Sequence, residues 1–139
     1  MKFPSRVADV MNEIISIDCE SLAVDAAKIM IDKEIGSIVV TEEGNPVGII
    51  TESDMLARVI VAYRDPKKLL TKNIMTSPLV SIEKDSTILD AMRFLRDQDI
   101  HVVLVNDDGK LTGIVSEGDL IRAVTLSALS QFSSIIRRT

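Results

Sequence analysis

The feature that most constrains the fold of this chain is an internal repeat with an offset of 65 residues. The stretches Gly48–Asp54 and Gly113–Asp119 share one layout: a glycine, two β-branched residues, a hydroxyl residue, two spacers and an aspartate. The identical pairs at this offset include Ile17/Ile82, Ser21/Ser86, Asp25/Asp90, Ala26/Ala91, Ile35/Ile100, Gly44/Gly109, Gly48/Gly113, Glu52/Glu117 and Asp54/Asp119. Because the identities fall on caps, turns and apolar positions, the repeat indicates two structurally similar halves.

Each half is predicted to contain a strand, a helix, two strands and a second helix. The elements predicted after the first strand are a helix over 22–33 capped by Ser21, a strand over 35–40, a hairpin turn at Gly44, a return strand over 46–50 and a helix over 52–63. The second half repeats this order, with Ser86 as the cap of a helix over 87–98.

A three-stranded half-sheet with helices on one face buries its apolar surface poorly alone, which favours two halves that pack together. The predicted fold is therefore α+β, with two pseudo-twofold-related β-α-β-β-α repeats packed sheet to sheet and an extended C-terminal helix. The predicted boundaries are 5–64 for repeat 1, 65–70 for a linker, 71–125 for repeat 2 and 126–139 for the extension. An apolar stripe on the last helix predicts a homodimer contact; it consists of Ile121, Val124, Ala128, Leu129, Phe132, Ile135 and Ile136.

Composition limits the possible partners of the chain. Its 139 residues carry a net charge of −5, so it lacks the basic face that non-specific nucleic-acid binding needs. No apolar run approaches the ~20 residues of a membrane-spanning helix. Its single cysteine, Cys19, cannot form an internal disulfide, which is typical of a reducing compartment. We therefore expect a cytoplasmic protein without nucleic-acid or membrane partners.

The doubled motif supports two interpretations. In the structural one, Thr51 and Ser116 are N-caps, and the aspartate three residues later completes a capping box that its short side chain weakens. In the functional one, the same joint offers helix N–H groups to an anion and the carboxylate to the vicinal hydroxyls of a ribose. Two copies at the same joint of a repeated unit favour ligand binding.

Both halves resemble cystathionine-β-synthase (CBS) domains, and the pair resembles a Bateman module. The residues that carry the resemblance are Ile38-Val39-Val40, Gly44 and Gly48–Asp54, and then Val103-Leu104-Val105, Gly109 and Gly113–Asp119. The resemblance implies an allosteric module that binds adenosine-containing ligands such as AMP, ADP, ATP, S-adenosylmethionine or NADH, and so senses cellular energy.

The resemblance also implies where a ligand would lie, because each cleft combines the aspartate motif of one repeat with the early strand of the other. The residues implied for the first cleft are Ile49, Thr51, Asp54, Ile74, Val80 and His101. Those implied for the second cleft are Ile114, Ser116, Asp119, Val10, Ile15 and Gly36. His101 occupies the place where some adenylate-binding members put a phosphate-contacting side chain, and Gly36 is its counterpart. The resemblance therefore implies that the first cleft prefers phosphorylated ligands.

Acidic residues beside the motif refine the expected ligand. Glu52 and Glu117 follow the hydroxyl residues, and their charge disfavours a long polyphosphate, so AMP or ADP is favoured over ATP. An S-adenosylmethionine or NAD sensor and a ligand-free assembly module remain alternatives. An enzyme is not expected, because the sequence shows no nucleophile–base pair, metal cluster or Walker-type loop, and no required cofactor or metal is predicted. The sequence does not identify the regulated partner protein.

Overall fold

The computed structural model describes residues 4–138, with side chains described as far as residue 133. The α+β class and the repeated order of elements are confirmed. The strands are β1 (Ser16–Asp18), β2 (Ser37–Glu42), β3 (Asn45–Thr51), β4 (Ser81–Glu83), β5 (Val102–Asp107) and β6 (Lys110–Ser116). The helices are α1 (Ala23–Asp32), α2 (Glu52–Met55), α3 (Ile88–Gln98) and α4 (Glu117–Arg138).

Each half forms its own three-stranded sheet, in the orders β1-β2-β3 and β4-β5-β6. In both sheets the first two strands are parallel and the last two form an antiparallel hairpin. The hairpin turns place Glu43 and Gly44 at φ 50° and 81°, and Asp108 and Gly109 at φ 52° and 86°. Positive φ at both turn residues suits a two-residue hairpin, because the turn then matches the twist of its strands. The predicted turn at Gly44 is confirmed.

The chain divides into two compact units whose limits differ from those of the sequence repeats. The first unit is Ile14–Leu79, and the second unit joins the N-terminal segment up to Glu13 to the chain from Val80 onwards. The leading segment of each repeat therefore belongs to the unit that contains the other repeat's sheet.

Backbone hydrogen bonds fix the N-terminal segment in the second unit. Val7 N donates to Ser86 O at 2.9 Å, and Asn12 N donates to Ile114 O at 2.8 Å. Asn12 O in turn accepts from Ile114 N at 3.0 Å. This reciprocal pair is an antiparallel bridge, so the segment acts as a short additional partner of β6.

The segment before β4 makes matching bonds in the first unit. Thr71 N donates to Ser21 O at 2.8 Å, and Thr76 N donates to Ile49 O at 2.7 Å. Ile49 N donates back to Thr76 O at 3.0 Å, which forms the corresponding bridge to β3. Each sheet is thus completed by residues from the beginning of the opposite repeat.

Each unit has its own aliphatic core, as the low aromatic content requires. The first core consists of Cys19, Ala23, Ala26, Met30, Ile38, Val40, Ile50, Val59, Leu69 and Ile74. The second consists of Val7, Ile82, Ile88, Ala91, Leu95, Val103, Val105, Val115, Leu120 and Ala123. The leading segments of the two repeats, up to Glu13 and over 71–79, are called the exchanged segments below. Val7 and Ile74 belong to these segments and are fully buried. Burial of such a side chain contributes about 1.5–3 kcal/mol to the free energy of unfolding, so the exchanged segments are integral to the cores.

Two predicted helix caps are wrong by one residue. Helix α1 has Leu22 rather than Ser21 at its N-cap, and that residue makes no side-chain cap bond. Helix α3 is capped by Thr87 rather than Ser86, because the Thr87 hydroxyl accepts a hydrogen bond from Asp90 N at 3.0 Å. The choice between adjacent hydroxyl residues depends on backbone direction at the helix start, which spacing alone does not specify.

The helix predicted over 52–63 is shorter and less regular than expected. It is α-helical over Glu52–Met55 and continues as a π-helical turn over Leu56–Ile60. The wider turn is closed by Val61 N, which donates to Leu56 O at 2.8 Å. A π turn contains an additional residue, so it changes which side chains face the motif compared with an uninterrupted α-helix.

The extended C-terminal helix is confirmed as α4. Beyond the second core it exposes Leu126, Leu129 and Phe132 by 56%, 57% and 61%. The side chains of Ile135 and Ile136, which were included in the predicted stripe, lie outside the described residues. No helix in the described part of the chain is both long and apolar enough to cross a membrane.

The motif glycines allow a methionine of each exchanged segment to approach the sheet closely. A Cβ atom added at Gly48 would lie 2.8 Å from Met75 Cγ, and one added at Gly113 would lie 2.9 Å from Met11 Cγ. Carbon atoms do not approach so closely without displacement. Glycine is therefore required at these positions because of packing rather than backbone conformation.

We predict that Gly113→Ala lowers the free energy of unfolding by about 1–3 kcal/mol, because Met11 and its segment must move aside. Urea denaturation would measure the change. Gly118→Ala is the matched control, since its added Cβ would meet Arg122 Nη1 at 3.5 Å and Ser116 Oγ at 3.7 Å, both ordinary van der Waals contacts, and alanine suits a helix better than glycine. Equal destabilisation by both changes would contradict the packing explanation.

Candidate functional site

The first candidate site lies where β3 passes into α2. Asp54 Oδ2 accepts hydrogen bonds from Thr51 N at 2.9 Å and Thr51 Oγ1 at 3.2 Å. Asp54 N donates to Thr51 Oγ1 at 3.4 Å, so the predicted capping box is confirmed. The aspartate side chain is long enough to reach the N-cap backbone, and the expected weakening of the box is not apparent in these distances.

The second oxygen of Asp54 binds the exchanged segment of the first unit. Asp54 Oδ1 accepts a hydrogen bond from Thr76 Oγ1 at 2.9 Å. Arg58 Nη1 donates to the carbonyl oxygen of Ile74 at 3.0 Å and to that of Met75, while Arg58 Nε stands 3.9 Å from Asp54 Oδ1. Asp54 is only 8% exposed, and its carboxylate therefore joins β3, α2 and the exchanged segment.

The second candidate site repeats this arrangement where β6 passes into α4. Asp119 Oδ2 accepts from Ser116 N at 2.8 Å and Ser116 Oγ at 2.9 Å, and Asp119 N donates to Ser116 Oγ at 3.2 Å. Asn12 Nδ2 donates to the same Oδ2 at 2.9 Å. Arg122 Nη2 donates to Asp119 Oδ1. Besides the cap residue, Asp119 thus accepts hydrogen bonds from an amide and a guanidinium, whereas Asp54 accepts one from a hydroxyl.

Thr76 and Asn12 are site residues that the motif search missed. They directly follow Met75 and Met11, which match at an offset of 64 rather than 65. One is a threonine and the other an asparagine, so a comparison of the two repeats shows no identical pair at this position. Their equivalence is apparent only because each one bridges its sheet and binds the motif aspartate.

The N–H groups at the two helix starts are partly satisfied by the protein itself. Glu52 N donates to Gly36 O at 3.2 Å, and Glu117 N donates to His101 O at 2.8 Å. The hydroxyl caps bind a further N–H in each helix. Each joint therefore has fewer unpaired N–H donors than an uncapped helix start would offer to an anion.

His101 pairs with the acidic residue of the second motif. Its Nδ1 lies 2.8 Å from Glu117 Oε2. Since an ionised carboxylate only accepts hydrogen bonds, Nδ1 is the donor in this contact. In the first unit the corresponding residue is Gly36, which has no side chain to pair with Glu52. The two sites consequently differ in the partner of this glutamate as well as in their arginines.

The other predicted site residues are distributed over both units. Ile49 and Ile74 lie in the first unit with Asp54, and Ile114 and Val10 lie in the second unit with Asp119. The remaining members of each implied cleft belong to the opposite unit. Val80 and His101 are in the second unit, whereas Ile15 and Gly36 are in the first. Their participation in ligand binding stays a prediction.

Cys19 does not have the character of a nucleophile. It is buried, and burial together with the charges of Asp18, Glu42 and Glu20 raises the pKa of its thiol, while Lys72 opposes the shift. A raised pKa keeps the thiol protonated at neutral pH. Within the described residues, no three His, Cys, Asp or Glu side chains are grouped as a metal site would require.

Comparison with known proteins gives one consistent family. The CBS domain family model matches residues 7–61 and 72–126, which together are most of the chain. The mitochondrial CBS domain-containing protein CBSX3 of Arabidopsis thaliana is 37% identical over 106 residues, covering 72% of this chain and 51% of that protein. The chain spans about half the length of the first curated relatives that it matches.

Solved structures show the same fold. A conserved CBS domain protein of unknown function from Thermoplasma acidophilum has a TM-score of 0.78 and 28% identity, covering 91% of this chain and 75% of that one. The hexameric CBS-CP12 protein of bloom-forming cyanobacteria has a TM-score of 0.76 and 26% identity, covering 84% of this chain and 70% of that one.

We predict that Asp54→Ala lowers the free energy of unfolding by about 1–3 kcal/mol, because the donors of Thr51 and Thr76 lose their acceptor. Urea denaturation would measure the change. Asp97→Ala is the control, since Asp97 is exposed and, among the residues that the structure describes, pairs with the neighbouring Arg96 alone. This change should alter stability by less than about 0.5 kcal/mol. Similar losses in both variants would show that Asp54 does not hold the joint together.

We predict that Cys19 reacts slowly with Ellman's reagent at pH 8 in the folded protein and much faster in urea. Burial blocks access to the thiol, and its raised pKa lowers the thiolate fraction. The unfolded chain, which loses both effects, serves as the control. Equal rates in the two states would show that Cys19 is accessible and ionised in the folded protein.

Proposed function

The chain belongs to the CBS domain family and contains two copies of the domain, and from this premise we propose that it is a regulatory module that binds adenosine-containing ligands. CBS domain pairs are generally regulatory and ligand-binding. Ligand occupancy would be transmitted to a partner protein through a change in the equilibrium between conformations, rather than through catalysis.

The observation that carries the proposal is the geometry of the Asp54 carboxylate. It stands at a strand end beside a threonine hydroxyl, and its Oδ1 accepts a single hydrogen bond, from the neutral hydroxyl of Thr76. A carboxylate with remaining acceptor capacity suits the two adjacent hydroxyls of a ribose. The partly buried apolar side chain of Ile49, two residues before the cap, suits a flat base.

We propose AMP or ADP as the favoured ligand rather than ATP. Glu52 follows the cap of the first site and is exposed, and Gly36 offers no side chain that could neutralise it. A long polyphosphate would bring more negative charge towards this residue. We also propose that His101 contacts a phosphate of the ligand. The Asp54 cleft would for this reason prefer phosphorylated ligands.

We propose a homodimer as the assembled form. Leu126, Leu129 and Phe132 are exposed on α4, and the cyanobacterial relative that shares the fold is hexameric. A ligand-free assembly module is the second candidate function, because the same exposed helix supports it without any ligand. An S-adenosylmethionine or NAD sensor would use the same ribose contacts.

We predict that isothermal titration calorimetry detects binding of AMP and ADP, with weaker binding of ATP. Asp54→Ala should weaken AMP binding by about tenfold or more, because hydrogen bonds to a charged acceptor are lost. Asp97→Ala removes an exposed charge elsewhere and should leave the affinity unchanged. His101→Ala should weaken AMP more than adenosine, which has no phosphate.

The same titrations distinguish the alternatives. Tighter binding of S-adenosylmethionine or NAD than of AMP would show that the protein senses that ligand instead, and it would leave the ligand-sensing function intact. Absence of heat with AMP, ADP, ATP, S-adenosylmethionine and NAD would refute the nucleotide hypothesis and leave the assembly module.

A further inference from the structure

We infer that Arg122 competes with a ligand for the carboxylate of Asp119, so that the second site is gated by its own arginine while the Asp54 site is open. This inference rests on the proposed function and deepens it. The two sites share one backbone arrangement, and they differ in the donors that already occupy the aspartate.

The donors that bind the two carboxylates differ. A carboxylate accepts about four hydrogen bonds. Among the described residues, Asp54 accepts from the N–H and hydroxyl of Thr51 and from the hydroxyl of Thr76, all of them neutral donors. Asp119 accepts from the N–H and hydroxyl of Ser116, and also from Asn12 and Arg122. The Oδ1 atom of each aspartate accepts one of these bonds, from the neutral hydroxyl of Thr76 at Asp54 and from the charged guanidinium of Arg122 at Asp119.

A ribose therefore competes with different groups at the two sites. At Asp54 the competitor is the neutral hydroxyl of Thr76, which can rotate to accept a hydrogen bond instead of donating one. At Asp119 the competitor is a charged donor, Arg122, whose hydrogen bond to a carboxylate is stronger than one between neutral groups. The second site thus has an additional free-energy cost of binding.

The two arginines occupy different positions in their repeats, so only Arg122 competes for its aspartate. Arg122 is three residues after Asp119, whereas Arg58 is four residues after Asp54. At the position equivalent to each arginine, the other repeat has an alanine. Residues three or four apart in an α-helix lie on the same face, and Arg122 donates a hydrogen bond to its carboxylate. Arg58 lies in the π turn, where its Nη1 donates to the carbonyl oxygens of the exchanged segment and its Nε stays 3.9 Å from Asp54 Oδ1, beyond hydrogen-bond distance.

The gate can open because the Arg122 side chain is mostly in solvent. It is 70% exposed, whereas that of Asp119 is 13% exposed. An exposed ion pair contributes only about 0.2–1 kcal/mol, because water competes for both charges. The arginine therefore lowers the affinity of the second site without closing it, and a sufficiently concentrated ligand displaces it.

The test measures AMP binding by calorimetry in an Asp54→Asn background, which removes the charge of the first site and retains its size. Adding Arg122→Gln is expected to tighten AMP binding at the second site about two- to fivefold, the range of an exposed ion pair. In the otherwise unmodified protein, Arg122→Gln should reduce the difference in affinity between the two sites.

The matched control is Lys84→Gln in the same background. Lys84 forms a partly exposed ion pair in the same unit, with its Nζ 3.2 Å from Asp107 Oδ2. The variant removes one positive charge without touching the motif, so it should leave AMP affinity unchanged. Equal tightening in both variants would indicate a general charge effect and overturn the gate.

Other outcomes are equally decisive. Weaker AMP binding after Arg122→Gln would mean that Arg122 contacts the ligand phosphate, and unchanged binding would mean that it does not compete; each overturns the inference. Nuclear magnetic resonance of the Arg122 Nε–H in the unmodified protein should show a shift as AMP fills the second site, and no shift at saturation would also overturn it. Failure of AMP, ADP, ATP and S-adenosylmethionine to bind any variant would instead refute the proposed function.

Discussion

The structure depends on a single carboxylate at each joint between a hairpin and the helix that follows it. Asp54 and Asp119 close the cap of the helix and also bind a residue of the exchanged segment. One side chain therefore holds a strand, a helix and a distant part of the chain together. Because these partners are close to the carboxylate, any ligand that binds it must act on the same hydrogen bonds that maintain the fold.

The exchange of leading segments connects each carboxylate to a distant part of the chain. Each segment contributes a buried aliphatic side chain to the core, a methionine that packs against a glycine of the sheet, and a polar side chain that donates a hydrogen bond to the aspartate. Under the proposed function, a ligand that competes with Thr76 for Asp54 would change the contacts of one such segment while its aliphatic side chain stays in the core. That local change would couple ligand occupancy to conformation.

The two units have similar backbones but different electrostatics. At the first motif, Glu52 faces a glycine and the arginine is directed to backbone carbonyls. At the second, Glu117 pairs with His101 and the arginine binds the aspartate. Duplicated sites with similar backbones can thus differ in the groups around the aspartate, because the arginine stands four residues after Asp54 but three residues after Asp119. Arg58 also lies in the π turn after Met55, whereas Arg122 lies in the continuous α-helix α4.

The sequence alone determined the repeated order of elements, the hairpin turns, the capping boxes and the family, because each of these depends on residues close together in the chain. It did not identify Thr76 and Asn12, the π turn, or the different hydrogen-bond partners of Arg58 and Arg122. These features depend on hydrogen bonds between segments distant in sequence, and on a helix geometry that apolar spacing does not reveal. Only the tertiary structure decided which donors occupy each aspartate, since a carboxylate binds the groups that folding brings within reach.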